Sequence, residues 1–233
     1  MSSFKPIQFK ENKLILLDQR LLPSEEVFLE FDTIEGIHGA IKDMVVRGAP
    51  CIGFTAVFGM AVWIKSHPDF TLEQITKAGN YLNSARPTAV NLGYEIQQVI
   101  GHIRDKELLG NEAFEFVVQL GNEKIAQSER DNRQMALTAE EELDKLGINN
   151  FQILTHCNTG FLACGSVGTA LGVVQNLHEK GKLKNCWVDE TRPYLQGSRL
   201  TAYELTKLKA PHKIVVEGAA SFLMKNKMVD AIF

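Results

Sequence analysis

Phe151-Gln152-Ile153-Leu154-Thr155-His156-Cys157-Asn158-Thr159-Gly160 is the stretch on which the reading of this chain turns. A short apolar run that gives way at once to polar residues and glycine reads as a buried strand entering a loop. The pattern returns at Asn185 to Val188, Lys213 to Val216 and Asp230 to Phe233, with helical stretches near Gly165 to Lys180, Gly197 to Leu208 and Ala219 to Lys225 between the runs. Strand and helix in alternation specify a parallel sheet with right-handed crossovers, so residues 148–233 read as a Rossmann-like, doubly wound α/β domain. In the usual order of such a sheet the fourth strand lies beside the first, and ligands bind in the crevice outside their carboxyl ends. The sequence stops at Ala231-Ile232-Phe233, inside the fourth strand, so the domain is expected to be incomplete, truncated at that strand.

Before this domain, residues 1–147 read as a mixed strand and helical domain. Gln8 to Lys10 and Leu14 to Leu17 flank the turn-forming Glu11-Asn12, and Val27 to Phe31 alternates, which predicts a small antiparallel sheet. Helices follow in series. Asp32 with Glu35 predicts a capped helix to about Met44, and Thr71 with Gln74 makes the capping-box pattern ahead of Leu72 to Ala85. Pro50 to Lys65, Ala89 to Arg104 and a long helix from about Asn111 towards Leu146 complete the set, and Gly147-Ile148-Asn149-Asn150 breaks the pattern. The fold class is therefore α/β, with a small N-terminal β-sheet and helical domain followed by the Rossmann-like one.

Composition narrows the function. With 233 residues and 45% hydrophobic content the chain can bury a substantial core. Its 25 Lys and Arg against 28 Asp and Glu give a net charge of -3, with no electrostatic reason to expect nucleic acid or an acidic membrane as partner. A small molecule is expected instead. The apolar stretch Ala49 to Ile64 is shorter than the ~20 residues that span a bilayer and reads as a buried helix. Met1 to Glu11 is polar and mixed, unlike a secretory signal. Four cysteines, at 51, 157, 164 and 186, form no C-x-x-C pair and suit a reducing, cytoplasmic setting.

Cys157 is the candidate for chemistry. At the end of a strand and facing a helix amino terminus, its thiolate is favoured by the helix dipole and free N–H groups. The alternative is a buried, inert cysteine. Arg47-Gly48-Ala49-Pro50 lies between two helices, where glycine permits close approach, proline suits a first helical turn, and a guanidinium joins free N–H groups to make an anion site. It reads equally as an ordinary turn with a surface arginine. Ser84-Ala85-Arg86-Pro87-Thr88 repeats the arrangement, with Arg86 held extended before proline and Thr88 able to cap the next helix. Gln196-Gly197 opens a helix, and Gln196 either donates to a phosphate or caps the turn. Asp189-Glu190 imitates a dinucleotide fingerprint, but glycines 160, 165 and 168 are spaced wrongly for one. His156 beside Cys157 points to the opposite face unless the chain turns at once, and reads as structural. His156, Cys157 and Cys164 lack the spacing and the fourth ligand of a zinc site, so no metal is expected.

Four segments, in order along nearly the whole chain, carry a resemblance. They are Met44 to Pro50, Arg86 to Leu92, Ile153 to Asn158 with Gly168 to Val173, and Val188-Asp189-Glu190-Thr191-Arg192-Pro193-Tyr194-Leu195-Gln196-Gly197. Together they resemble the methylthioribose-1-phosphate isomerases of methionine salvage. The wider superfamily also holds ribose-1,5-bisphosphate isomerases and the regulatory subunits of the eukaryotic initiation factor that exchanges guanine nucleotides. The resemblance implies an aldose-ketose isomerase that takes a small sugar phosphate, uses no cofactor and forms a homodimer. It implies Cys157 as the catalytic cysteine and Arg47, Gly48, Ala49, Arg86 and Gln196 as substrate-binding residues. The family's catalytic aspartate, in a Gly-Ala-Asp-Arg segment after the fourth strand, falls beyond Phe233. Val216-Glu217-Gly218-Ala219-Ala220 departs from the family's Thr-Asp-Asn/Ser-Met-Ala pattern and leaves the group on the sugar's C5 open. The resemblance also accommodates a non-catalytic regulatory subunit, or a sister isomerase for 5-deoxyribose 1-phosphate or ribose 1,5-bisphosphate.

Overall fold

Period-2 side-chain alternation and capped helices account for most of the architecture, which a computed structural model describes over residues 4–233. The chain groups into two units. One comprises Lys5–Leu21 and Glu26–Gln127, and the other Phe4, Leu22–Glu25 and Ser128–Phe233.

The first unit opens with strands β1 (Ile7–Lys10), β2 (Lys13–Leu17) and β3 (Phe28–Phe31), an antiparallel sheet in that order. The β1 to β2 hairpin turns on Glu11 and Asn12, both at positive φ, +51° and +62°, as a two-residue turn between twisted strands requires. Helix α1 (Ile34–Lys42) is capped by Thr33, whose Oγ1 accepts from the Gly36 N–H; Asp32, expected in that role, precedes the cap by one residue. Helix α2 (Ala49–Ser66) is 18 residues long and apolar enough by composition to cross a membrane, yet most of it is buried in the core of this unit. Phe58, Met60 and Ile64 on it are fully buried, and Phe58 stacks on Phe9 of β1 at 5.2 Å. Helix α3 (Leu72–Asn83) begins with the capping box of Thr71 and Gln74, both bonds being present. Helix α4 (Val90–Asp105) starts after Ala89 and has no side-chain cap, so Thr88 does not cap it. Helix α5 (Gly110–Asp144) runs 35 residues, and the division between the units falls within it.

In the second unit, β4 (Phe151–Thr155) is followed by a four-residue helix α6 (Phe161–Cys164), then α7 (Ala170–Glu179). The helix expected from near Gly165 begins only at Ala170, and the separate turn Phe161–Cys164, ended by Gly165 at φ +80°, precedes it. Strand β5 (Leu183–Asp189), a π-turn at Gly197–Thr201 leading into α8 (Ala202–Lys207), β6 (His212–Val215), α9 (Ala220–Lys225) and β7 (Ala231–Ile232) complete it. The sheet is parallel in the order β6-β5-β4-β7, so the fourth strand does lie beside the first, with Ile153 opposite Ala231 and Leu154 opposite Ile232. Alternation along the strands gives each face its own cover. Ile153, Cys186 and Val188 join Leu171, Val174, Leu177 and Leu205 on one face, while Leu154 and Trp187 join Leu223 on the other. Helices on both faces make the sheet doubly wound.

The division expected at 147/148 assigns all of α5 to the first domain, whereas packing groups its last turns with the second. Ala136 and Leu143 are buried in the cluster beneath the parallel sheet, and Asn132 Nδ2 donates to the Val167 carbonyl at 2.8 Å. Glu140 is the strongest tie: its carboxylate, 7% exposed, accepts from Asn176 Nδ2 and from the ammonium groups of Lys180 and Lys182. Removal from water opposes its charge, but these partners outweigh that and hold its carboxyl at about 2, below the usual 4.5. A depressed carboxyl stabilises the fold above its unfolded value, and the stabilisation is lost as pH falls through the folded one. Because both lysines are partly exposed, screening reduces the effect. Glu140→Gln is therefore expected to cost about 2 kcal/mol at pH 7. Urea melts of the two proteins should converge as pH falls from about 4.5 to about 2.

Candidate active site

The carboxyl ends of β4 and β5 present the residues singled out in the second unit. Cys157 stands two residues beyond β4 with φ at +61°, a left-handed value that costs a non-glycine residue of order 1 kcal/mol. It is half-buried, whereas Cys51, Cys164 and Cys186 are buried. Burial pushes the Cys164 thiol up to about 11 and the Cys186 thiol up to about 12, which leaves both protonated and unreactive at neutral pH.

What holds the turn is a buried carboxylate on α8. Glu204 is 1% exposed. Its oxygens accept from Asn158 Nδ2 at 2.7 Å, from the Phe161 N–H at 2.6 Å and from the Leu162 N–H at 3.3 Å. The last two are free N–H groups at the start of α6, so a side chain from another helix performs the capping that Gly160, the local cap, cannot. Thr201 adds an Oγ1 to Cys157 carbonyl bond at 2.6 Å and accepts from Asn158 Nδ2 at 3.3 Å. Gly160 must be glycine here, since a Cβ would come within 1.9 Å of Glu204 Oε2. The Cys157 carbonyl and the residues that follow it are thereby held by Thr201 and by Glu204 of α8.

Gln196 is half-buried and ends a folded loop that starts at Asp189. Thr191 and Leu195 both have positive φ, the Arg192-Pro193 peptide is cis, and Thr191 Oγ1 accepts from the Gly197 N–H at 2.8 Å. Gly197 lies against the backbone of Asp189, where a Cβ would meet the Asp189 carbonyl oxygen at 1.7 Å. Glu217 accepts a bond from the Arg192 N–H, so the residue that departs from the family pattern braces this loop. His156 turns to the sheet's next strand: its Nδ1 is 3.0 Å from Asp189 Oδ2.

The other predicted residues belong to the first unit. Gly48, at φ +89°, is the N-cap of α2 and offers no side chain to the first turn, Pro50 sits within that turn, and Arg47 is half-buried beside it. Ala49 is exposed as the first residue of α2. Arg86 is half-buried in the turn before α4, where its carbonyl accepts from the Ala89 N–H at 2.9 Å. Sequence reasoning brought out Cys157 and Gln196 at the strand tips and set His156 aside as structural. It missed Glu204, Thr201 and Asn158. A partial signal was available: Glu204 lies between Leu200 and Leu205 in a mostly apolar stretch, and a carboxylate buried there needs donors.

Residues 45–233 match the initiation factor 2 subunit family. A methylthioribose-1-phosphate isomerase of Aquifex aeolicus (strain VF5) is 43% identical over 98% of this chain and 46% of its own length. The crystal structure of 5-methylthioribose 1-phosphate isomerase from Pyrococcus horikoshii OT3 is similar at a TM-score of 0.86, with 35% identity over 98% of this chain and 64% of that one. That of translation initiation factor eIF-2B, subunit delta, from A. fulgidus gives 0.83, with 32% identity over 99% and 67%. The chain thus spans between about half and two thirds of these proteins. It belongs to the initiation factor 2 subunit family.

Proposed function

We propose that the chain carries the Cys157 part of an intramolecular oxidoreductase that converts 5-methylthioribose 1-phosphate to 5-methylthioribulose 1-phosphate in methionine salvage. The observation that carries this reading is the half-buried Cys157, held at the tip of the first parallel strand by a left-handed turn. Similarity to isomerases over nearly the whole chain supports it. In this reading Cys157 is catalytic, and Arg47, Gly48, Ala49, Arg86 and Gln196 bind substrate. The two guanidiniums and the uncapped first turn of α2 suit a phosphate dianion, because charge-assisted bonds and a helix amino terminus both favour negative charge.

The chemistry explains the need for such a set. A phosphate on C1 blocks simple opening to the aldehyde, so the ring oxygen must gain a proton as the C1–O bond breaks. Hydrogen then moves from C2 to C1, by proton transfer through Cys157 or by hydride shift beside it. Oxidation at C2 and reduction at C1 occur in one molecule, so the reaction balances without an external electron carrier. The proposed setting is a cytoplasmic homodimer. The similarity to the A. fulgidus initiation-factor subunit favours a second reading, a non-catalytic regulatory subunit. Retention of Cys157 together with Arg47 and Arg86 favours the enzyme.

Cys157→Ala, in the full chain that the gene encodes, is expected to lower turnover by about 10²- to 10⁴-fold while leaving substrate affinity within a few-fold. Steady-state kinetics with calorimetric binding checks this, and near-normal turnover would remove Cys157 from the chemistry. Arg47→Ala and Arg86→Ala are each expected to weaken substrate binding by about 2–3 kcal/mol. Titration calorimetry reads that loss directly, and unchanged affinity would cancel the assignment.

A further inference from the structure

The isomerase reading leaves the acceptor of one proton unassigned. Whichever way hydrogen travels from C2 to C1, the ring oxygen gains a proton and the 2-hydroxyl loses one. The roles given so far name no acceptor for the hydroxyl proton.

A histidine stands one residue before Cys157. His156 is 63% exposed, and its Nδ1 is 3.0 Å from Oδ2 of Asp189, a side chain only 7% exposed at the last position of β5. The other oxygen of that carboxylate is buried and has no hydrogen-bond partner among the described residues. A carboxylate only accepts hydrogen bonds, so Nδ1 is the donor in this pair, and a ring carrying one hydrogen keeps its lone pair at Nε2. With His156 as its one side-chain partner, the buried carboxylate fixes this tautomer, since the alternative would set two acceptors against each other out of water. The left-handed turn at Cys157 ends the alternation that would send neighbouring side chains to opposite faces of the sheet. Thr155 pairs with Val188, so His156 and Asp189 follow on at the same level beyond the paired strands.

We propose that His156 is a further catalytic residue, accepting the substrate's 2-hydroxyl proton at Nε2, and that Asp189 is the positioning residue that sets its tautomer. This rests on the isomerase reading. As the O–H bond breaks, its electron pair forms the C2=O π bond. The pair of the C2–H bond either moves with hydrogen to C1 or forms the enol that C1 later protonates. The proton passes to Nε2, the imidazolium is paired with the Asp189 carboxylate, and water takes the proton away. The proton added at the ring oxygen balances the one released.

His156→Asn keeps an amide N–H facing Asp189 and deletes Nε2. In the full chain that the gene encodes, acting on 5-methylthioribose 1-phosphate, it is expected to lower kcat by about 10²- to 10³-fold with KM within about threefold. His156→Ala is expected to regain at least about tenfold of its lost kcat with free imidazole. Near-normal kcat in His156→Asn, or a loss in His156→Ala that imidazole leaves untouched, would overturn the proposal. A second measurement is independent of turnover: nitrogen chemical shifts of His156 in the 233-residue chain should report the Nδ1–H tautomer, and Nε2–H would overturn it. If the wild-type protein itself fails to isomerise the sugar phosphate, the isomerase reading falls and takes this role with it. If wild type and His156→Asn turn over alike, only the role of His156 falls.

Discussion

A single carboxylate, that of Glu204, organises the loop on which the functional reading depends. It brings charge from α8 to two free N–H groups of α6 and to the Asn158 amide, with almost no exposure to water. A buried carboxylate is costly unless its lone pairs are met by donors, and here the donors are the loop itself. Loop and helix are therefore mutually dependent. The loop cannot leave without stranding a charge, and the charge cannot be buried without the loop. Cys157 lies inside this arrangement, with its carbonyl bonded to Thr201 one helical turn before Glu204.

The same logic continues along the strand tips. Gly197 presses on the Asp189 backbone, Thr191 holds the Gly197 N–H, and Glu217 holds the Arg192 N–H, so Gln196 projects from a loop with few free torsions. Asp189 in turn holds His156. Side chains around a sugar phosphate need this kind of preorganisation, because ordering them at the moment of binding would subtract from affinity and from rate. The positive-φ residues at 157, 191 and 195 are the conformational cost of that rigidity.

Much of this was legible in the residues, for physical reasons that differ by element. The inner strands β4 and β5 could be read because burial on both faces gives near-continuous apolar runs, and the edge strands followed from the strand and helix alternation. The capping box of Thr71 and Gln74 is purely local chemistry and appears as written. Local signals failed where two adjacent residues could serve: Thr33 caps α1 in place of Asp32, and Ala89 precedes α4 in place of Thr88. The helix expected from Gly165 starts only at Ala170, because Gly165 adopts a left-handed conformation that ends a short turn before it. Glu140 and Glu204 were beyond a reading of periodicity, since each is explained by partners 36 to 46 residues away. A charge on an apolar face marks such a residue, but only the fold names its partners.

The central claim is that Glu204 pins the turn that carries Cys157. Amide hydrogen exchange at Phe161 and Leu162 tests it most directly, because those two N–H groups are the donors in question. They should exchange as slowly as the backbone of β4. Exchange at the rate of an open surface loop would show that the carboxylate does not hold them, and the rigid turn would have to be given up.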